Sequence, residues 1–243
     1  MNPRERNIKN ILSRWKKQHE SELHWIKSHK NTDFLKARLC GYLAGDGNVS
    51  IRKEKSSNKI HHEIRFFPDH SSLIKPYLIA FKKVYNKTPN VVKKNNHYVI
   101  RINSKIVTHD LLSICSFGLK SWTIPKFNNK KCKIEWLRAM FDSDSYVGKR
   151  YIRLKTVNKR GLGLVKKLLD EFSIETGKIY QYKPKNERWT INYILDIRKM
   201  KSLMRFSKII GFNHKLKEEK LLNLIRKSNM PRKLCRDYKI SNA

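Results

Sequence analysis

The chain has 243 residues, 55 Lys and Arg against 20 Asp and Glu, and a formal charge of +35. Such an excess repels itself unless a polyanion is the usual partner, which argues against a signalling monomer, a secreted disulfide scaffold or a small-molecule metabolic enzyme and for nucleic acid. Hydrophobic residues (39%) and aromatics (10%) are enough for a core.

The chain reads in order as follows. Residues 1–32 are a basic N-terminal extension with partly helical spacing of Ile8, Ile11, Leu12 and Trp15. No apolar run approaches the roughly 20 residues of a membrane span, and MNPRERNIKN has no signal-peptide core. A helix opens at Thr32-Asp33 and stops at Asp46-Gly47. Strands are expected over 48–53 and 61–67, a helix over 71–85, a hairpin over 90–94 and 97–103, and a helix over 105–115. After Ile124-Pro125 the order restarts: a helix over 133–141, strands over 145–149 and 151–157, and a helix over 159–172. Strands over 178–182 and 190–198 follow, then helices over 201–210 and 217–226. The helix-strand-strand-helix-strand-strand-helix order therefore occurs twice, an internal repeat. Offsets agree: Asp46 to Asp144 is 98 residues, Ile100 to Leu195 is 95 and Lys120 to Lys217 is 97. The first hairpin of the second copy is about nine residues shorter, from the same comparison. Cys40, Cys115, Cys132 and Cys235 have no zinc-ligand spacing, so free thiols in a reducing compartment are expected.

The first repeated helix carries the chemistry. Leu39-Cys40-Gly41-Tyr42-Leu43-Ala44-Gly45-Asp46-Gly47 stands beside Leu137-Arg138-Ala139-Met140-Phe141-Asp142-Ser143-Asp144-Ser145. Gly41 with Gly45, and Ala139 with Ser143, put small residues four apart on one helical face, which lets two helix backbones approach closely. If the helices pack side by side and parallel, Asp46 and Asp144 meet at one end. Two helix C-terminal poles plus two carboxylates repel, and a divalent cation relieves that. Hard oxygen donors suit Mg²⁺, and the end carbonyls of Gly45 and Ser143 are further candidate ligands. Paired metals activate water and stabilise the leaving oxygen of a phosphodiester. Asp46 alone reads better as an ordinary cap or turn residue; the second copy, the small-residue face and the charge favour function.

At these residues both segments resemble the LAGLIDADG motif, and over residues 33–226 the chain is similar to single-chain LAGLIDADG homing endonucleases. The resemblance implies an α/β (α+β) fold: a pseudo-twofold duplicated αββαββα with two four-stranded antiparallel saddle-shaped sheets laid on the DNA major groove. It implies halves at 33–125 and 126–226, and a basic C-terminal tail at 227–243. It further implies a monomer that makes a staggered break in double-stranded DNA with two or more Mg²⁺ ions, promoting mobility of its intron or host element. The lack of flanking splicing blocks favours a free-standing or intron-encoded form. By motif position Asp46 and Asp144 bind metal and cut. Lys120 and Lys217, at or before the closing helix of each half, are the catalytic lysine candidates, with Arg65 and Lys155 completing the sites from the second strand of each half. The alternative partner is intron RNA, for a maturase or a DNA-binding member with reduced catalysis. Ala44 replaces the earlier motif acid of the first copy. Ser145 replaces the final glycine of the second, where a left-handed helix end predicts strain or a shifted exit.

In strands alternate side chains face opposite ways. Arg101 and Asn103 alternate with Ile100 and Ile102, and Arg153 and Lys155 with Ile152, Leu154 and Thr156. With Lys53, Arg65, Lys183, Arg188, Asn192 and Arg198 these are the DNA-binding candidates: Arg pairs with guanine, Asn with adenine, and Lys holds phosphate. Trp15, Trp122, Trp136 and Trp189 read as packing residues.

Overall fold

A computed structural model describes residues 2–28, 32–54, 56, 58–95, 97–127, 129–183 and 190–229. It consists of two consecutive helix-and-sheet units behind an N-terminal helix. Helix α1 (Pro3–Ser28) leads. The first unit runs α2 (Asp33–Asp46), β1 (Gly47–Lys53), β2 (Ile60–Phe66), α3 (Ile74–Tyr85), β3 (Asn90–Lys94), β4 (His97–Asn103) and α4 (Lys105–Ile114). The second runs α5 (Lys130–Asp144), β5 (Ser145–Val147), β6 (Ile152–Thr156), α6 (Lys159–Glu171), β7 (Tyr180–Tyr182), β8 (Asn192–Ile197) and α7 (Met200–Ile209), with a further helix α8 (Lys215–Asn229). Each unit holds a four-stranded antiparallel sheet, in the orders β1-β2-β4-β3 and β5-β6-β8-β7. This is the duplicated α/β fold expected from the repeat.

Local chemistry sets the element ends. The Asn129 side chain accepts from the Cys132 amide (2.9 Å) and starts α5 three residues earlier than periodicity alone predicts. Asn158 caps α6 through the Gly161 amide (2.9 Å), and its side-chain amide donates to the Trp122 carbonyl (2.7 Å). One asparagine thus starts a helix of the second unit and fastens the segment that joins the units. The first hairpin of the second unit, β5 and β6, is shorter than expected because the chain turns back within 148–151, where the Gly148 amide donates to the Tyr151 carbonyl (2.9 Å).

Two motif residues behave differently from expectation. Gly47 (φ −123°) and Ser145 (φ −100°) both leave their helices extended, so neither position needs a left-handed backbone. Gly47 is required for room: a Cβ there would lie 2.4 Å from the Leu43 Cα. Ser145 needs no strain to replace it, because its hydroxyl folds back onto the Phe141 carbonyl (2.5 Å).

The core lies between helices and the inner sheet faces. Ile64, Phe66 and Ile100 in the first sheet, and Ile152, Leu154, Leu195 and Ile197 in the second, are all buried. Trp122 and Trp136 are buried together, with ring centroids 5.9 Å apart. Trp15 is not a packing residue: it sits on α1 and is 62% exposed, with Ile8, Ile11 and Leu12 also exposed. The α1 helix is held to the first unit farther along, where Glu22 pairs with Lys87 (2.6 Å) and accepts from the Ser104 hydroxyl (3.2 Å). Trp189, Cys235 and most of the 227–243 tail lie outside the described residues. Among the described residues, no helix is long and apolar enough to cross a membrane.

Candidate functional site

The two motif helices, α2 and α5, form the centre of the molecule. Three levels of contact follow one another along both helices: Arg38 bonds Glu135 (2.7 Å), Gly41 faces Ala139, and Gly45 faces Ser143. The helices therefore run the same way and end together. A Cβ on Gly41 would lie 2.5 Å from the Trp136 carbonyl oxygen, and one on Gly45 would lie 2.5 Å from the Ser143 Cβ. Only glycine permits this approach. Because α2 is covered on most sides, it is apolar nearly all round, with Leu35, Leu39, Tyr42 and Leu43 all buried.

The carboxyls at the common end sit in a low-dielectric seam. Burial, then the charge of Asp69, pushes Asp46 up to about 6 against the pull of Lys217. Burial, then Asp46, pushes Asp144 up to about 7. Two carboxyls sharing one end of two helices resist joint ionisation, which is the state a cation stabilises.

Lys217, in the first turn of α8, is buried beside them. Its ammonium donates to the carbonyls of Asp142 and Ser143 (3.1 Å to the latter) and lies 3.8 Å from Asp69. Burial holds its pKa below the usual lysine range even with four aspartates nearby. The Ser143 carbonyl is thus already an acceptor for Lys217, not the open helix-end ligand expected. Asp142 explains how Lys217 arrives there. Its buried carboxylate accepts the amides of Asn213 (2.9 Å) and His214 (3.0 Å) and the Tyr42 hydroxyl (3.2 Å), which pins the loop leading into α8. Asp69 and His70, just after β2, meet the same loop: His214 Nε2 lies 3.4 Å from Asp69, and the two imidazoles stack at 4.8 Å. The Lys217 amide donates to the His214 carbonyl (3.0 Å), which ties the start of α8 to this loop.

Lys120 does not mirror Lys217. It is exposed in a turn after α4, and among the described residues no helix lies between α4 and α5 to carry it inward. Asp69, Asp142 and His214 were not picked out by sequence spacing as parts of this cluster. Asp142 carried a signal, since it holds the earlier acid of the motif; Asp69 carried none.

The outward sheet faces hold most of the other candidates. Arg65, Arg101 and Asn103 in the first sheet, and Arg153, Lys155, Asn192 and Arg198 in the second, share the faces turned away from the helices. Lys53 does not; register puts Arg52 outward and Lys53 on the helix side. Register also matches Arg65 with Arg153, not with Lys155, since Arg65 faces Asn48 and Arg153 faces Tyr146, each the second residue after its motif helix. Lys183 follows β7 and is exposed; Arg188 lies outside the described residues. Sequence reading missed the acids on these faces, Glu63 and Asp196, and the tyrosines of the second, Tyr146, Tyr180 and Tyr182.

Comparison with known proteins fits this geometry. Residues 131–211 match the family model of a LAGLIDADG-like domain. Three quarters of the chain superposes on a mesophilic variant of the homing endonuclease I-DmoI at a TM-score of 0.60, with 17% identity, covering 75% of this chain and 98% of that one. The second unit carries a LAGLIDADG-like domain, and the two units together have the duplicated LAGLIDADG fold. The I-DmoI structures include complexes with DNA and Mn (TM-score 0.59, 16% identity, 74% and 97% coverage) and with DNA and Ca. Full-length DUF199/WhiA from Thermotoga maritima also shares the fold, at a TM-score of 0.55 and 17% identity over 87% of this chain and 66% of that one. Curated relatives match the chain over most of its length. They include a glutamine–fructose-6-phosphate aminotransferase of Methanocaldococcus jannaschii (28% identity, 78% of this chain, 17% of that one) and a replication factor C small subunit of Thermococcus kodakarensis (28%, 79%, 21%). A probable translation initiation factor IF-2 of M. jannaschii is 30% identical over 86% of this chain and 18% of its own length. The chain spans about a fifth of the length of these relatives.

Proposed function

We propose that this protein is a monomeric, site-specific DNA endonuclease that needs a divalent metal, cuts both strands of a long target with a stagger, and thereby promotes the mobility of the element that encodes it. The observation that carries the reading is the half-buried pair Asp46 and Asp144 at the shared end of two helices, in a protein of charge +35. On this reading residues 33–125 and 126–226 each address one half of the target.

Among the described residues no three His, Cys, Asp or Glu side chains are gathered to hold a metal. That donor set suits Mg²⁺, which binds through one or two carboxylates and fills its shell with water and phosphate oxygens. Asp46 and Asp144 would hold it, with the Gly45 carbonyl as a further oxygen. Bound there, it would supply Lewis acidity toward the phosphoryl oxygens and an activated water. Lys217 would place a fixed positive charge beside the reacting phosphate. The arginines and lysines of the outward faces would hold backbone and bases.

Mobility is supported by the relatives. Four proteins of unrelated name share a matching segment of 197 to 227 residues. A segment that recurs inside unrelated hosts behaves as an insert.

The test is selection of cleaved duplexes from a randomised DNA library with Mg²⁺. One enriched sequence with staggered ends is expected. No cleaved sequence, with tight binding to a structured RNA or to intact duplex, would transfer the protein to a maturase or a DNA-binding role.

A further inference from the structure

Each sheet turns one carboxylate outward, and each carboxylate holds two arginines. In the first sheet Glu63 of β2 pairs with Arg52 (2.9 Å) and Arg65 (2.5 Å). In the second, Asp196 of β8 accepts from Arg153 Nε (2.8 Å) and Nη2 (2.9 Å) and from Arg198 Nε (3.1 Å) and Nη2 (2.6 Å). The Tyr180 hydroxyl donates to the same carboxylate (3.3 Å). Register shows that the duplication has diverged here. Arg65 faces Arg101 across β2 and β4, and its counterpart Arg153 faces Asp196 across β6 and β8. A cation of the first half has become an anion in the second. By the same count the position of Glu63 is held by Tyr151, whose ring lies 4.6 Å from the Arg153 guanidinium and 5.6 Å from that of Arg198.

The arrangement is directional. The Asp196 side chain is 2% exposed, whereas Arg153 is 28% and Arg198 62% exposed. The carboxylate is sunk beneath the guanidiniums and is not itself positioned to touch a base. It takes the Nε–Nη2 edge of each arginine and leaves each Nη1–Nη2 edge for an outside partner. That edge offers two parallel N–H groups, matched by guanine O6 and N7 in the major groove. Fixing the side chains in advance removes much of the ordering cost of recognition.

We propose that Asp196 is a specificity-determining positioning residue, which holds Arg153 and Arg198 as a preformed pair of guanine-reading forks for one half of the DNA target. The inference rests on the DNA-reading role given to the sheets above.

The experiment measures competitive binding, in EDTA, of the wild-type chain, Asp196→Asn and Arg198→Lys to every single-base variant of the selected target duplex. The wild type is expected to prefer guanine at a cluster of positions in one half-site. Asp196→Asn should weaken that preference roughly 10-fold and leave the other half-site unchanged. Arg198→Lys keeps the charge and loses the fork, so it should lose discrimination at one position of the same cluster; this exposed substitution decides the matter if Asp196→Asn does not fold. A variant profile that superimposes on the wild type, or a loss spread evenly over both half-sites, would overturn the proposal while leaving DNA recognition intact. A wild-type chain that prefers no duplex sequence would overturn the DNA reading and this inference together.

Discussion

Single residues divide the candidate site into parts with different consequences. Asp46→Asn and Asp144→Asn keep volume and remove charge from a seam that disfavours charge, so both variants should fold and bind DNA while double-strand cleavage falls at least 100-fold, as for loss of a group that stabilises the transition state. Lys217→Met should lower cleavage by roughly 100-fold for the same reason, whereas Lys120→Met, in its exposed turn, should leave the rate within about twofold. Equal losses in the two lysine variants would contradict the asymmetry of the seam. The sequence pairing of Lys120 with Lys217 failed because equal offsets along the chain do not imply equal paths. The second half continues into α8, and the loop pinned by Asp142 turns that helix inward. Asp46 and Asp144 were legible because duplication marks them twice. Asp69 and His214 were not, since they meet only through packing between the halves.

The same residues set a pH dependence. Burial raises Asp46 and Asp142 to about 6 and Asp144 to about 7 in the folded chain. A folded-state carboxyl pKa above the unfolded value of about 4 means that ionisation costs stability. The cost is present in full above about pH 7 and disappears as the pH falls toward 4. Below that, Glu63 and Asp196 begin to lose their arginine partners; the hydrogen bond from Arg65 lowers Glu63, and arginine bonds outweigh the burial of Asp196. Metal-free protein should therefore unfold at a higher temperature at pH 5 than at pH 8, by on the order of 5 °C. Added Mg²⁺ should raise Tm at pH 8 and do little at pH 5. A Tm that climbs steadily from pH 5 to 8 without metal would show that the seam carboxyls are not strained by burial.

At the scale of elements, the seam depends on helices that touch backbone to backbone. Gly41→Val would drive its side chain against the Trp136 carbonyl, where a Cβ alone already lies 2.5 Å away. Overpacking of this kind costs about 2–3 kcal/mol, so thermal denaturation should show a Tm lower by roughly 5–10 °C. A change under 1 °C would mean that the helices do not pack this closely. Small residues four apart made this contact legible in advance. The outward sheet faces were only half legible. Alternation separated Arg101 from Ile100 and Arg153 from Leu154, but it could not align the two copies after a shortened loop, so Lys155 stood in for Arg153. The acids Glu63 and Asp196 escaped notice because a carboxylate on a basic face looks like a misplaced charge until its two arginines are seen.

For the whole molecule, part of the +35 charge lies on the sheets' outer faces, while Asp46, Asp69, Asp142 and Asp144 meet in the seam and Glu63 and Asp196 each hold two arginines. Binding that neutralises phosphates releases counterions, so affinity should drop about 10³-fold or more between 50 and 200 mM salt; a flat titration would exclude a phosphate-dominated interface. The central claim is that two inequivalent halves, each with one motif aspartate, cut the two strands. Strand-resolved cleavage of the selected duplex with Mg²⁺, comparing wild type with Asp46→Asn and Asp144→Asn, tests this most directly. The wild type is expected to cut both strands at a fixed stagger, and each variant to bind the duplex and make no double-strand break. Full double-strand cleavage by either variant would contradict the account.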